Sequence, residues 1–287
     1  MALEARLANR ARAGGSHGHG NPETAVDLNR LRRRVVFERL LVRLDEARQG
    51  HWVLKGGMAL ELRWHDRARA TRDLDLATRV PVANVDGLRA VLAETLERDP
   101  HGDWFQFLLG PSRALTADAA GRPGWRFPVQ ARLAGRQFAQ FTVDVVARAD
   151  EIGGTERVPL PGALAFAGIP PASFEVVDRN QHFAEKLHAL TQTYGERPNT
   201  RTRDLVDLLM LIEDGLQSTR ELYTSVRHVF AVRDRHEVPT DIPDPPPDWS
   251  NTYLTLAADL DLDAKTINRA MKDLRAFWSL VRSTEET

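Results

Sequence analysis

Trp52-Val53-Leu54-Lys55-Gly56-Gly57-Met58-Ala59-Leu60, continuing to Arg69-Ala70-Thr71-Arg72-Asp73-Leu74-Asp75-Leu76, is the stretch on which the fold turns. Trp52-Val53-Leu54 is short and apolar and predicts a buried strand, Gly56-Gly57 a turn, and Met58 to Leu62 the start of a helix. A second strand then carries two aspartates one residue apart. Strand side chains alternate between faces, so Asp73 and Asp75 share one, with Cα atoms about 7 Å apart. Two carboxylates on one strand face pack poorly but suit Mg²⁺, a hard cation that takes oxygen ligands. Glycines between strand and helix let backbone amides approach a phosphate, and a helix N-terminus favours anions. The combination points to metal-dependent phosphoryl or nucleotidyl transfer, with Gly56, Gly57 and Thr71 as candidate phosphate contacts.

Working outward, an N-terminal arm is expected over residues 1–24. A short helical pattern at Leu3 and Leu7 gives way there to Gly14-Gly15-Ser16-His17-Gly18-His19-Gly20, which lacks apolar periodicity. His17 and His19 have no carboxylate beside them and make a poor metal set. From Asp27 a helix is predicted, with Leu28, Leu31, Val35, Leu41 and Leu44 toward the core and Glu38 interrupting them. Its arginines, among them Arg30, Arg34, Arg39 and Arg43, are expected on a solvated face. Asn84 to Arg98 predicts an amphipathic helix, and Trp104–Leu109, Trp125–Leu133 and Arg136–Val146 predict strands. In the last of these, alternation puts Phe138, Thr142, Asp144 and Val146 on one face. An aspartate in an apolar strand costs desolvation energy unless it is paired or holds a metal. Asp144 is therefore a candidate third carboxylate; an edge-strand surface residue is the alternative.

Beyond Pro170-Pro171 the remaining pattern is helical: Asn180–Tyr194, Thr202–Ile212, Glu221–Val232 and Asp263–Val281, with a stiff Pro-rich connector over 239–247. The division expected is an arm over 1–24, an α/β core over 25–168 and an all-helical domain over 169–287. Lys186 and Asp204 fall in that helical half. Lys186 is placed to reach across a cleft to a triphosphate. Asp204 and Asp207, three residues apart, share a helix face, and Asp204 is placed to orient a base or accept a proton.

Bulk properties narrow the class. The chain has 287 residues, no cysteine and a net charge of −1, which excludes a disulfide framework and thiolate chemistry. No long apolar run or secretory pattern is present, so no membrane span is expected and a cytoplasmic location is the simple reading. Of 39 basic residues, only Lys55, Lys186, Lys265 and Lys272 are lysines, and two of the four lie in the candidate motifs.

The ordered set Gly56-Gly57-x-Ala59-Leu60, Arg69-x-Thr71-x-Asp73-Leu74-Asp75-Leu76, Ala184-Glu185-Lys186-Leu187-His188-Ala189-Leu190 and Arg203-Asp204-Leu205-x-Asp207-Leu208 resembles the motifs of the abortive-infection (AbiEii-type) nucleotidyltransferase toxins, members of the DNA polymerase beta-like superfamily. The resemblance spans about residues 50–210. It implies an α+β fold in which a mixed β-sheet core with flanking helices precedes an all-helical domain. It also implies a toxin of a toxin–antitoxin pair that transfers a nucleotide from an NTP, with Mg²⁺ or Mn²⁺, to RNA. The 3′ end of tRNA is the acceptor in related toxins. Carried over by position, Asp73 and Asp75 hold metal, Lys186 holds the triphosphate, and Asp73, Asp75, Lys186 and Asp204 form the catalytic set; Asp144, the candidate third metal ligand, rests on its strand position alone. A cognate antitoxin is an implied partner. Where the wider superfamily has Gly-Ser, this chain has Gly56-Gly57 and lacks the hydroxyl. Two other readings fit the same residues less well. A small-molecule (antibiotic) nucleotidyltransferase is expected to have an acidic pocket for a cationic drug, whereas Arg63, Arg67, Arg69, Arg72 and Arg79 crowd the motif. A catalytically inactive antitoxin-binding module leaves the carboxylates without a task.

Overall fold

The computed structural model of the chain describes residues 2–14, 28–48, 50–82, 84–115, 123–147, 149–196 and 198–285; His17 and His19 lie outside them. Among the described residues, eight strands form a single sheet: β1 (Trp52–Lys55), β2 (Asp73–Thr78), β3 (Phe105–Leu109), β4 (Arg113–Ala114), β5 (Gly124–Leu133), β6 (Arg136–Val146), β7 (Thr155–Pro159) and β8 (Ser173–Val177). Their order is β3-β5-β6-β2-β1-β8-β7, with β4 paired to β5. β1 runs parallel to β8 and β2 parallel to β6, while the remaining pairs are antiparallel. The sheet is therefore mixed, and the fold is the expected α+β class.

Among the described residues, four α-helices accompany the sheet: α1 (Ala2–Gly14), α2 (Leu28–Ala47), α3 (Gly56–Trp64) and α4 (Val85–Glu97). In α4, Leu88, Leu92 and Leu96 recur every fourth residue and are all buried. Each such side chain contributes roughly 1.5–3 kcal/mol on leaving water. The Asn84 side chain starts this helix by accepting from the Gly87 amide at 2.8 Å. Five more helices follow the sheet: α5 (Arg179–Thr191), α6 (Thr202–Glu213), α7 (Arg220–Arg233), α8 (Trp249–Asp259) and α9 (Ile267–Ser283). They gather around Phe183, Leu187, Leu208, Tyr253 and Trp278, a second apolar cluster distinct from the one beneath the sheet. Helix α3 touches both clusters: Met58, Ala59 and Leu62 belong to the first and Leu60 to the second.

Several expectations are corrected. The arginine face of α2 is not solvated. Arg39 and Arg43 are fully buried and converge on Asp103, at 2.6 Å from Arg39 Nε and 2.8 and 2.7 Å from Arg43. Arg30 and Arg34 share Glu61 at 2.9 and 2.6 Å. The interrupting Glu38 is also buried, where its carboxylate accepts from the Ala163 amide. Carboxylates distant in the chain thus make an interior position tolerable for charged groups. Leu3 and Leu7 of α1 are buried against the sheet cluster, so the first part of the expected arm is docked. The chain beyond Pro170-Pro171 is not all helix, because β8 follows it and pairs with β1; the last sheet strand lies past the expected division at 168. Phe138 does not share a face with Thr142. A bulge opposite Ala131 and Arg132 turns it into the core, where its ring meets Phe105 edge-on at 5.2 Å. Helix α8 fills the stretch after the Pro-rich connector. The connector itself is strapped along α9: Trp278 donates to the Pro239 carbonyl and Arg275 to that of Ile242, whose side chain is buried.

Candidate active site

Strand pairing brings the acidic residues together. Asp75 of β2 lies opposite Asp144 of β6 on one side and Lys55 of β1 on the other. Arg126 of β5 lies opposite Asp144 in turn, so one row across four strands reads Arg126, Asp144, Asp75, Lys55. Asp73 pairs with Thr142, whose hydroxyl donates to the Asp73 carboxylate. Burial raises the Asp75 carboxyl, and repulsion from Asp144 and Asp73 adds to it against the pull of Lys186 and Lys55, leaving it at about 6.

Gly56 explains its own presence. Its φ of +62° is the left-handed region, and a Cβ built there would stand 1.9 Å from Asp75 Oδ2. The backbone can therefore press against the carboxylate only with glycine at this position. A Cβ on Gly57 would stand 3.1 Å from Thr71 Oγ1. The Thr71 hydroxyl donates to the Asp73 carbonyl at 3.1 Å and pins the turn that leads into β2. Lys55 at the head of α3 supplies no side-chain cap, so no side chain of that residue covers the first-turn amides.

The helical half supplies the cations. Lys186 Nζ, on α5, is 2.7 Å from Asp204 Oδ1 and 2.7 Å from Asp207 Oδ2, both on α6. Burial alone would lower the Lys186 pKa, but the two carboxylates hold it above the ordinary lysine value. Asp207 is fully buried and also takes both arms of Arg69, at 3.0 and 2.9 Å. Burial would raise this carboxyl, yet Lys186 and Arg69 bring it down to about 2. His182, one turn before Lys186, is kept neutral by burial and by the nearby Lys186 and Arg63. The Lys186 charge lowers the Asp75 carboxyl, and the Asp75 charge raises Arg69.

Asp73, Asp75, Lys186, Gly56, Gly57 and Thr71 thus meet at the junction of sheet and helices, with Asp204 one ion pair behind Lys186. Asp144 lies beside the pair in register, but Arg126 takes both its oxygens, at 2.8 and 2.7 Å. Among the described residues, no group of three His, Asp or Glu side chains stands ready as a metal cage. Sequence reasoning missed Arg126, which only strand pairing finds. It noted Asp207 but not its bond to Arg69. Lys55, which lies in the motif, serves the interior instead: it is buried between Glu151 at 3.0 Å and Glu185 at 2.8 Å.

Comparison with known families gives a match over residues 39–281 to the model described as the nucleotidyl transferase AbiEii toxin of a type IV toxin–antitoxin system. The chain belongs to the AbiEii family. It is accordingly a nucleotidyltransferase of toxin type. A similar solved fold is MenT4, a nucleotidyltransferase toxin from Mycobacterium tuberculosis H37Rv, at 19% identity and TM-score 0.54, with 98% of each chain covered. Weaker likenesses are to a protein from H. pylori described as a candidate nucleotidyltransferase (16% identity, TM-score 0.45, 91% of this chain and 97% of that one). An antigenic nucleotidyltransferase-like protein from Paracoccidioides brasiliensis also matches (15%, 0.41, 80% and 92%). Comparison with curated protein sequences gives no match. No helix among the described residues is long and apolar enough to cross a membrane.

Proposed function

We propose that this AbiEii-family chain transfers a nucleotidyl group from an NTP to RNA, at the 3′ end of tRNA, in a reaction that uses Mg²⁺ or Mn²⁺. As the toxin of a toxin–antitoxin pair it blocks translation and growth in the cytoplasm until its cognate antitoxin restrains it. The observation that carries this reading is the strand pairing that sets Asp75 beside Asp144, with Asp73 two residues away on the same strand and the Gly56 backbone pressed against the Asp75 carboxylate. A carboxylate pair stands beside the start of α3, which the Lys55 side chain does not cap, an arrangement that suits a metal-bound triphosphate.

Asp73 and Asp75 would hold a divalent cation through oxygens on one strand face, and the cation would offset the repulsion that Asp144 and Asp73 exert on Asp75. Asp144 would be a third oxygen donor only where Arg126, which takes both its oxygens, gave one up. When bound, the metal neutralises phosphate charge and makes the attacking hydroxyl more acidic. The chain's own residues do the positioning. The amides at Gly56-Gly57 receive phosphate oxygens, with Thr71 holding that turn. Lys186 presents an ammonium to the triphosphate, and Asp204 and Asp207 fix its direction. Asp204 is thereby an orienting group rather than a free base. The acceptor oxygen bonds to the α-phosphorus as the bond to the pyrophosphate oxygen breaks, and the hydroxyl proton leaves to solvent.

The test incubates purified protein with Mg²⁺, each labelled NTP in turn and total tRNA. Wild type labels tRNA, and Asp73→Ala lowers the rate by at least about 10³-fold, as removal of a group that stabilises the transition state does. Labelling of an aminoglycoside in place of RNA, or equal labelling by the variant, would sink the reading.

A further inference from the structure

Beside the aspartates lies a feature that the triphosphate machinery leaves unused. An open-sided cavity of about 560 Å³ starts at Asp73 and runs outward over β6, β5 and β3. Its size falls within the range of small-ligand sites, roughly 300–1,000 Å³. Three kinds of group line it. Leu108 and Pro128 offer apolar surface, and Leu108 is 45% exposed. Gln130 and Gln140 bring amides, which carry both donors and acceptors. Arg33 and Arg72 bring positive charge, Arg72 being the chain neighbour of Asp73.

We infer that this cavity seats the 3′-terminal nucleotide of the single-stranded RNA acceptor. The inference rests on the nucleotidyl-transfer reading above and adds where the acceptor lies. Sheet order supplies the first reason. Across the strands, the Gly56-Gly57 turn follows β1, the aspartates sit on β2, and the cavity lies beyond them over β6, β5 and β3. Transfer at phosphorus places the attacking and leaving oxygens roughly in line. With pyrophosphate held on the β1 side, by Gly56-Gly57 and Lys186, the attacking hydroxyl must arrive from the β6 side, where the cavity opens. An NTP held by its phosphates at α3 would have to span both aspartates to put its base there.

The lining chemistry supplies the second reason. Single-stranded RNA is recognised by stacking of splayed bases and by hydrogen bonds to their edges, while arginines take the phosphates. Leu108 and Pro128 serve the base face, Gln130 and Gln140 its edge, and Arg72 the phosphate before it. The same arginines oppose a cationic drug in this place.

The experiment measures binding of a fluorescent RNA that ends in a 3′-deoxynucleotide and so cannot react. In parallel it measures binding of Mn²⁺–NTP. Leu108→Glu and Arg72→Ala are the variants; both positions are exposed, and circular dichroism checks that they fold. Leu108→Glu weakens RNA binding about tenfold or more and Arg72→Ala about threefold, the scale of one lost stacking or phosphate contact. Nucleotide affinity changes less than twofold in either. Unchanged RNA affinity and unchanged KM for RNA in both variants, with wild type still labelling RNA, would overturn the cavity assignment alone. Parallel loss of RNA and nucleotide affinity would overturn it in favour of the NTP base. A wild type that binds nucleotide but neither binds nor labels RNA would overturn this site and the RNA reading together.

Discussion

Asp75 shows how much a single residue in this fold gives up for the sake of its site. Its carboxyl is raised from an ordinary 3.8 to about 6, by burial first and then by Asp144 and Asp73. The folded state therefore holds the proton more tightly than the unfolded chain. The contribution to stability is complete below about pH 4 and is lost as pH rises through about 6. In metal-free protein at pH 7.5, Asp75→Asn should be more stable than wild type by about 2–3 kcal/mol, the value of roughly two pKa units. Urea unfolding in a chelator at pH 7.5 and pH 4.5 checks this: the advantage should shrink toward zero at the lower pH, and equal stability at pH 7.5 would contradict the account. Added Mg²⁺ should stabilise wild type and leave the variant nearly unmoved.

At the scale of elements, the same exchange of charge anchors α2 beneath the sheet. Arg39 and Arg43 point inward because Asp103, on the loop entering β3, meets both. Burial would raise the Asp103 carboxyl, but the hydrogen bonds from Arg43 and Arg39 hold it at about 2. Removing one partner from a buried ion pair leaves uncompensated charge, at a cost of about 3–5 kcal/mol. Asp103→Ala should destabilise by that order in chemical unfolding. Arg98→Ala, which breaks only an exposed pair with Glu94, should cost less than about 0.5 kcal/mol. Comparable losses in the two would mean that α2 is held by its apolar face alone.

At the scale of the molecule, Arg69 and Asp207 join the two halves. Arg69 lies in the loop before β2, Asp207 on α6, and their bond spans 138 residues of chain. Lys186 shares the same carboxylate. Asp207→Asn should thus strike twice, lowering stability by about 3 kcal/mol or more and releasing Lys186 from its direction toward Asp75. At a temperature where the variant is folded, KM for the NTP should rise and the labelling rate fall together. An unfolding midpoint shift with normal kinetics would make Asp207 a purely structural group.

What the sequence by itself determined is local. Asp73 and Asp75 face one way because a strand repeats every two residues, and Asp204 and Asp207 share a helix face because three residues make nearly one turn. The glycine turn and the amphipathic helices follow from spacing, and the ordered motifs carry the resemblance that implies the α+β class and the family. Tertiary structure alone decided which charges meet. Arg126 reaches Asp144 through strand pairing, Arg43 reaches Asp103 across 60 residues, and Phe138 changes face through a bulge that alternation cannot see. Periodicity records which side of an element is apolar, but a buried charge is tolerated only if a partner arrives from elsewhere in the chain. Gly56 and Asp75 join the two kinds of information. The sequence places a glycine before a helix, and only the fold brings the carboxylate so close that no other residue fits.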